Sequence, residues 1–121
     1  MKMLTIVIRP EKFGDIVAAL RKAGVTGMTV TEVRGQGYQK EMPQIYRSMS
    51  YQAEFVQKVK IETVVPDDRV EEVLQAAVAA ARTGRVGDGK VFVTEVVDAV
   101  RVRTGERGDA AVLGPGAGAA T

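Results

Sequence analysis

The chain has 121 residues, about the length of one domain, and its 45% hydrophobic and 26% charged residues are typical of a soluble globular protein. It contains neither cysteine nor histidine, which excludes disulfides, thiolate metal sites and histidine general bases. A formal net charge of +2, with three tyrosines, three phenylalanines and no tryptophan, argues against nucleic-acid binding. The sequence holds no apolar run of the roughly 18–20 residues that a membrane-spanning helix needs, and it opens without a signal peptide. We therefore expect a cytoplasmic protein that does not insert into membranes.

Apolar periodicity predicts four strands and two helices. The strands are expected at residues 2–9, 27–35, 56–65 and 90–97, the last with an extension to Arg103. The first strand is apolar on both faces, and this pattern predicts a central position in a sheet.

Each predicted helix begins at a proline and is followed by a glycine. Pro10 opens the first helix, and Gly24 is expected to end it. In the second helix, Asp68 and Glu71 have the spacing of a capping box, and Gly84 is expected at the position just after the last turn.

The resulting order, βαββαβ, predicts an α+β domain of the ferredoxin-like class over residues 1–112. Residues 36–55 separate the second and third strands without a periodic pattern. A hairpin needs only two to five residues, and a loop of this length is usually functional or disordered. The Gly/Ala-rich tail, residues 113–121, is expected to be disordered.

A glycine-rich turn lies between the second helix and the fourth strand. Gly84, Gly87 and Gly89 would let backbone N–H groups surround an anion, and Lys90 adds a positive charge. The string from Gly84 to Lys90 fits G-x-x-x-x-G-K, but Val91 stands where a P-loop has Ser or Thr. The helix-to-strand order is also the reverse of a P-loop. A P-loop is therefore excluded, and a phosphate-binding turn and a simple tight turn both remain open.

Two further groups of charges could bind anions. Arg101 and Arg103 stand two apart on a segment predicted to be extended, so both guanidiniums would project from one side, which suits phosphate oxygens. The alternative is an edge strand whose charges prevent aggregation. Lys58, Lys60 and Glu62 line one face of the third strand, but by themselves they indicate a solvated face.

Four segments give the chain a resemblance to the PII signal-transduction proteins. They are GMTVTEVRGQG at 27–37, KVKIETVVPDD at 58–68, RTGRVGDGKVFV at 82–93 and VRVRTGERGDAA at 100–111. The similarity runs without a gap over residues 1–112, and Thr83 to Val96 resembles the C-terminal signature of the family. By this resemblance, residues 36–55 correspond to the T-loop, 82–90 to the B-loop and 101–112 to the C-loop.

The resemblance implies a homotrimer that binds ATP or ADP in clefts between subunits. One subunit would supply the larger set of nucleotide contacts, namely Thr29, Gly35, Gly37, Tyr38, Glu62, Val64, Gly87, Asp88, Gly89 and Lys90. Its neighbour would supply Arg101 and Arg103.

The resemblance also implies a 2-oxoglutarate site built on Mg-ATP. Gln39 would be the Mg²⁺ ligand, and Lys58 would pair with a carboxylate of 2-oxoglutarate. Arg9 and Lys40 would be supporting cations of the same site.

The chain departs from the family pattern in its T-loop. Tyr38 stands where the family usually has Arg or Lys, so the site has one cation fewer near the γ-phosphate. The stretch from Tyr46 to Tyr51 keeps Arg47 and both tyrosines but lacks the usual small-small-acidic run, and Pro43 stiffens the preceding turn.

The favoured hypothesis is a non-catalytic regulatory protein. Its partners would be an ammonium transporter, whose pore Arg47 could plug, or enzymes and regulators of nitrogen assimilation, with Tyr51 as a candidate site of modification. A variant of this hypothesis keeps nucleotide binding but regulates another process through another transporter, such as inorganic-carbon uptake. A hypothesis of a different class is a slow ATPase, but Asp88 and Glu62 are its only candidate carboxylate bases.

Overall fold

The computed structural model describes residues 1–36 and 55–114. The strands are β1 (Lys2–Ile8), β2 (Thr29–Gly35), β3 (Val56–Val65) and β4 (Gly89–Glu95), and the helices are α1 (Phe13–Lys22), α2 (Val70–Ala81) and α3 (Asp109–Val112). The strands form one antiparallel sheet in the order β2-β3-β1-β4. This arrangement confirms the α+β ferredoxin-like prediction, including the central position of β1. Within residues 1–36 and 55–114, no helix is both long enough and apolar enough to cross a membrane.

The core lies on one face of the sheet. The inward side chains of β1 are fully buried against residues of both long helices: Leu4, Ile6 and Ile8 from β1, Ile16 and Leu20 from α1, Val73 and Ala77 from α2. Since α1 and α2 cover the same face, the alternate β1 residues Met3, Thr5 and Val7 stay partly exposed on the other face. We refer to that uncovered side as the open face.

The end of α1 follows the prediction. Gly24 has φ +93°, its N–H donates to the carbonyl of Arg21, and the N–H of Val25 donates to that of Leu20. This pair of bonds is the Schellman pattern, in which glycine adopts the left-handed conformation without strain. The Arg69 guanidinium, from the turn that precedes α2, donates to the carbonyl of Ala23 and closes the same helix end.

Both predictions for the ends of α2 are wrong. No side-chain cap is formed by Asp68 because a 3-10 turn, Asp67–Arg69, precedes the helix, and Glu71 instead accepts a hydrogen bond from Gln75. The helix ends at Ala81 with an extended Arg82, so Gly84 (φ +87°) lies inside the following turn rather than next to the helix.

The predicted extension of β4 to Arg103 is also wrong. The strand ends at Glu95, and the chain then folds into a small hairpin in which Val100 bridges to Arg107. Asp98 forms an ion pair with Arg107, and residues 102–104 form the turn. Gly105 and Gly108 have positive φ (+77° and +67°) and let the chain reverse here. Arg101 and Arg103 therefore do not share one face of an extended strand.

Candidate functional site

The turn between α2 and β4 is organised around the carboxylate of Asp88. This carboxylate accepts hydrogen bonds from the Thr83 hydroxyl, from the amides of Thr83 (2.7 Å) and Gly84 (2.9 Å), and from Arg9 Nε (3.1 Å). These donors, the Thr83 hydroxyl foremost, hold the pKa of Asp88 well below its ordinary value. Asp88 is thus a structural anion at the centre of the turn, and it is unsuited to act as a general base at neutral pH.

Two glycines shape the exit of this turn into β4. Gly87 and Gly89 have φ +99° and +109°, which L-residues rarely adopt. A Cβ on Gly89 would lie 1.9 Å from the carbonyl oxygen of Val7 in the neighbouring strand, so the space admits only glycine. This close approach lets β4 pair with β1 directly from Gly89 onward.

Two cations converge on the same turn. Arg9 Nη2 donates to the Val86 carbonyl at 2.6 Å, and Lys58 Nζ donates to the Gly87 carbonyl at 2.5 Å. Burial, with the positive charge of Arg9 as a second cause, lowers the pKa of Lys58. Gly35, at the end of β2, approaches the aliphatic stem of Lys58. One end of the sheet therefore carries a cation pair beside backbone that can approach a ligand closely, an arrangement suited to anions.

Lys90 is the second residue of β4 and follows this turn directly. It is exposed and pairs with Val7 of β1, which also pairs with Lys60 of β3. Side chains opposite one another in a sheet project from the same face, so the ammonium groups of Lys90 and Lys60 both belong to the open face.

A second set of predicted residues lies at the other end of the sheet. Thr29 of β2 pairs with Glu62 of β3, four residues beyond Lys58, which is roughly 13 Å along the strand. Val64 lines a small cavity together with Val112 and Leu113 of the C-terminal segment. Val64 is therefore close to the part of the chain that Arg101 holds.

Arg101 and Arg103 have different environments. Arg101 Nη2 donates to the carbonyls of Ala110 (3.0 Å) and Leu113 (2.5 Å), and its Nε lies 3.1 Å from a carboxylate oxygen of Glu106. Arg103 is exposed and has no hydrogen bond or ion pair within residues 1–36 and 55–114. Of these two arginines, only Arg103 has a guanidinium that is directly available to a ligand.

The structure places the predicted nucleotide residues of one chain in two groups. It brings Gly35, Gly87, Asp88, Gly89 and Lys90 together with Arg9 and Lys58 at one end of the sheet. It places Thr29, Glu62 and Val64 toward the end where Arg101 is anchored. The candidates Gly37, Tyr38, Gln39, Lys40, Arg47 and Tyr51 lie outside the described residues.

Comparisons with known proteins agree with this fold. The family described as "Nitrogen regulatory protein P-II" matches residues 1–106. The chain belongs to the P-II family. Its relatives include Nitrogen regulatory protein P-II 1 of Escherichia coli, 48% identical over 112 residues, and the P-II protein of Microchaete diplosiphon, 49% identical over 112 residues. Both alignments cover 93% of this chain and the whole of the relative.

A solved P-II structure has the same fold. Arabidopsis thaliana PII bound to citrate matches with a TM-score of 0.76 and 40% identity, covering 93% of this chain and 90% of that one. The resemblance inferred from the sequence is thereby confirmed, and P-II proteins are regulatory signal-transduction proteins of nitrogen metabolism.

Thr83 was missed as a site residue, although a Thr and an Asp flanking a glycine turn can close such a turn through their side chains.

The role of Asp88 in this P-II turn can be tested by Asp88→Asn. Its folded pKa is depressed below the ordinary 3.8, so its contribution to stability is present above that pH and is lost as pH falls through the folded pKa. We expect the variant to melt below the wild type at pH 7 and the two melting temperatures to converge in acid. Asp68→Asn is the control, because Asp68 is exposed and has no partner among the described residues. Equal melting temperatures for Asp88→Asn and wild type at pH 7 would contradict this role.

Proposed function

We propose that the protein is a non-catalytic signal-transduction protein that binds ATP or ADP between subunits and 2-oxoglutarate together with Mg-ATP. Through residues 36–55 it would control nitrogen-related partners. The observation that carries this proposal is the convergence of Arg9 and Lys58 on the Gly87 turn, because it supplies paired cations and approachable backbone at one point. The solved relative bound to citrate supports a small carboxylate ligand in this family.

The nucleotide phosphates would bind at the turn. Gly87 adds no side chain beside Arg9 and Lys58, and Lys90 supplies an exposed ammonium group. The arrangement favours binding over hydrolysis, because neither candidate base is free. The Asp88 carboxylate already accepts four hydrogen bonds, and Glu62 Oε1 lies 4.0 Å from Lys60 Nζ. ATP is therefore an effector in this proposal and not a substrate.

The second half of the nucleotide site would come from another copy of the chain. Arg101 is anchored to Leu113, which lines a cavity with Val64 near the far end of β3, away from the Gly87 turn. The open face is also only partly covered, and Phe92 on it is 53% exposed. Closed cyclic association would bury this face and bring the two halves together, so we propose a homotrimer.

The carboxylates of 2-oxoglutarate would pair with Lys58 and Arg9, which are already half-buried and adjacent. Gln39 would contribute an amide oxygen to Mg²⁺, a hard cation that prefers oxygen ligands and is often held largely by substrate phosphates. In residues 1–36 and 55–114 no group of three or more acidic side chains could hold a metal ion.

The partners would be reached through residues 36–55. Arg47 and Tyr51 are the candidate contact and modification positions, and an ammonium transporter or nitrogen-assimilation enzymes and regulators are the partners that the P-II family suggests. Regulation of another transporter remains the alternative, because Tyr38 and the altered loop sequence depart from the family pattern.

Calorimetry tests this function directly. We expect heat of binding for ATP and for ADP, and heat for 2-oxoglutarate only when ATP and Mg²⁺ are present. Gln39→Ala and Lys58→Ala should abolish the 2-oxoglutarate heat and retain ADP binding, since ADP lacks the γ-phosphate beside this site. Light scattering of the same samples should give the mass of three chains.

Two results would count against the proposal. The absence of 2-oxoglutarate heat at saturating Mg-ATP would remove the 2-oxoglutarate part of the proposal and favour the alternative, regulation of another transporter. A monomer at micromolar concentration would remove the intersubunit site.

A further inference from the structure

The C-terminal segment, residues 109–114, is held by the Arg101 guanidinium of its own chain. Nη2 donates to two carbonyls of this segment, those of Ala110 at 3.0 Å and Leu113 at 2.5 Å. The segment includes the short helix α3 and lies at the end of the sheet where β3 finishes. The guanidinium that is expected to bind phosphate thus donates hydrogen bonds within its own chain.

Residues 109–114 pack in one defined position, which we call the seated state of the segment. Val112 and Leu113 line a small cavity together with Val65 of β3 and Val73 of α2. Gly114 is buried, and a Cβ at this position would lie 2.6 Å from the Cβ of Thr26. The seated state therefore has room for glycine at position 114 and for no larger residue.

The seated state leaves Arg101 incompletely satisfied. Its Nε is buried and, although it lies 3.1 Å from a Glu106 carboxylate oxygen, it makes no hydrogen bond to the described residues. An unsatisfied buried donor is costly, and a phosphate oxygen would be a stronger acceptor than a neutral carbonyl. The Arg101 guanidinium therefore has two competing sets of acceptors, the carbonyls of the segment and the oxygens of an anionic ligand.

We propose that the C-terminal segment regulates the nucleotide site by competing with the nucleotide phosphates for Arg101. This inference rests on the proposed function, because it takes Arg101 as a phosphate ligand. The seated segment lowers the affinity for nucleotide, and by thermodynamic reciprocity bound nucleotide loosens the segment. Residues 109–114 would then leave their position whenever the site fills, which makes this segment a reporter of nucleotide occupancy.

Gly114→Val tests the competition without altering Arg101. The added side chain collides with Thr26, so the segment leaves its position and Arg101 Nη2 loses its two carbonyl acceptors, while the ion pair with Glu106 remains. If the segment is seated about nine-tenths of the time, the affinity for ATP rises about tenfold. Gly14→Val is the matched control, because Gly14 lies in α1 with open space around it, and it should bind ATP like the wild type.

A double-mutant cycle assigns the effect to Arg101. In an Arg101→Ala background the segment has nothing to compete for, so Gly114→Val should leave ATP affinity unchanged. A gain of the same size in both backgrounds would show that the segment acts by another route and would overturn the proposal.

Amide hydrogen exchange provides a readout in the unaltered chain. The Leu113 N–H donates to the Asp109 carbonyl in the seated segment, so saturating ATP should speed its exchange, and Gly114→Val should show fast exchange without ATP. Absence of ATP binding to the wild type would reject the proposed function itself. ATP binding with unchanged Leu113 exchange, and equal affinity in Gly114→Val, would reject the competition alone.

Discussion

Gly89→Ala should lower the melting temperature by roughly 10 °C or more and abolish ATP binding. The residue has φ +109°, and an added Cβ would lie 1.9 Å from the Val7 carbonyl oxygen. The left-handed conformation alone costs an alanine about 1–2 kcal/mol. The collision is with backbone of the central strand, so it must be relieved by opening the β1–β4 pairing at the point where the turn is formed. Thermal unfolding and ATP calorimetry measure the two effects.

Gly84→Ala separates the collision from the backbone strain. Gly84 lies in the same turn with φ +87°, but a Cβ there would have no atom within 4 Å. We expect a loss of about 1–2 kcal/mol in stability from the positive φ and retention of ATP binding. If Gly89→Ala behaved like Gly84→Ala, the close approach of β4 to β1 would not be what forms the site.

Arg103→Ala should weaken ATP binding about ten- to a hundredfold with little change in stability. Arg103 is exposed at the turn of the C-terminal hairpin and has no partner in the described part of the chain, so its removal leaves no buried group unpaired. A hydrogen bond to a charged group contributes about 1.5–3 kcal/mol, which corresponds to this range of affinity. Calorimetry gives the affinity and thermal unfolding the stability.

Arg21→Ala is the matched control for Arg103→Ala. Arg21 is an exposed arginine of α1, so it carries the same charge on the helix side of the molecule. Equal loss of ATP affinity in the two variants would indicate a general charge effect, and unchanged affinity in Arg103→Ala would remove this residue from the site.

Features encoded by neighbouring residues could be predicted from the sequence. The order of the elements, the central place of β1 and the bounds of β3 follow from apolar periodicity, because burial on one side of a strand or helix imposes its period on the chain. Gly24 was placed correctly at the end of α1 because a Schellman turn needs a left-handed residue at that point. The glycine-rich turn could likewise be predicted, because Gly84, Gly87 and Gly89 lie close together in the sequence.

Predictions failed where a local signal competed with contacts made elsewhere. The capping-box spacing of Asp68 and Glu71 was overridden by a 3-10 turn that begins at Asp67, whose carboxylate forms an ion pair with the N-terminal amine. The apolar residues after Glu95 continued a strand pattern, but Gly105 and Gly108 reverse the chain and the segment pairs with itself.

The sequence by itself determined the fold class and the residue types available for anion binding, since both depend on short-range pattern and composition. Only the tertiary structure decided how those residues are used. It showed that Asp88 holds the turn and Arg9 together across 79 positions of sequence, and that Arg101 is occupied by its own C-terminal segment. The physical reason is that a charged side chain selects its partner by distance and burial in the folded chain, and neither quantity is written in the local sequence.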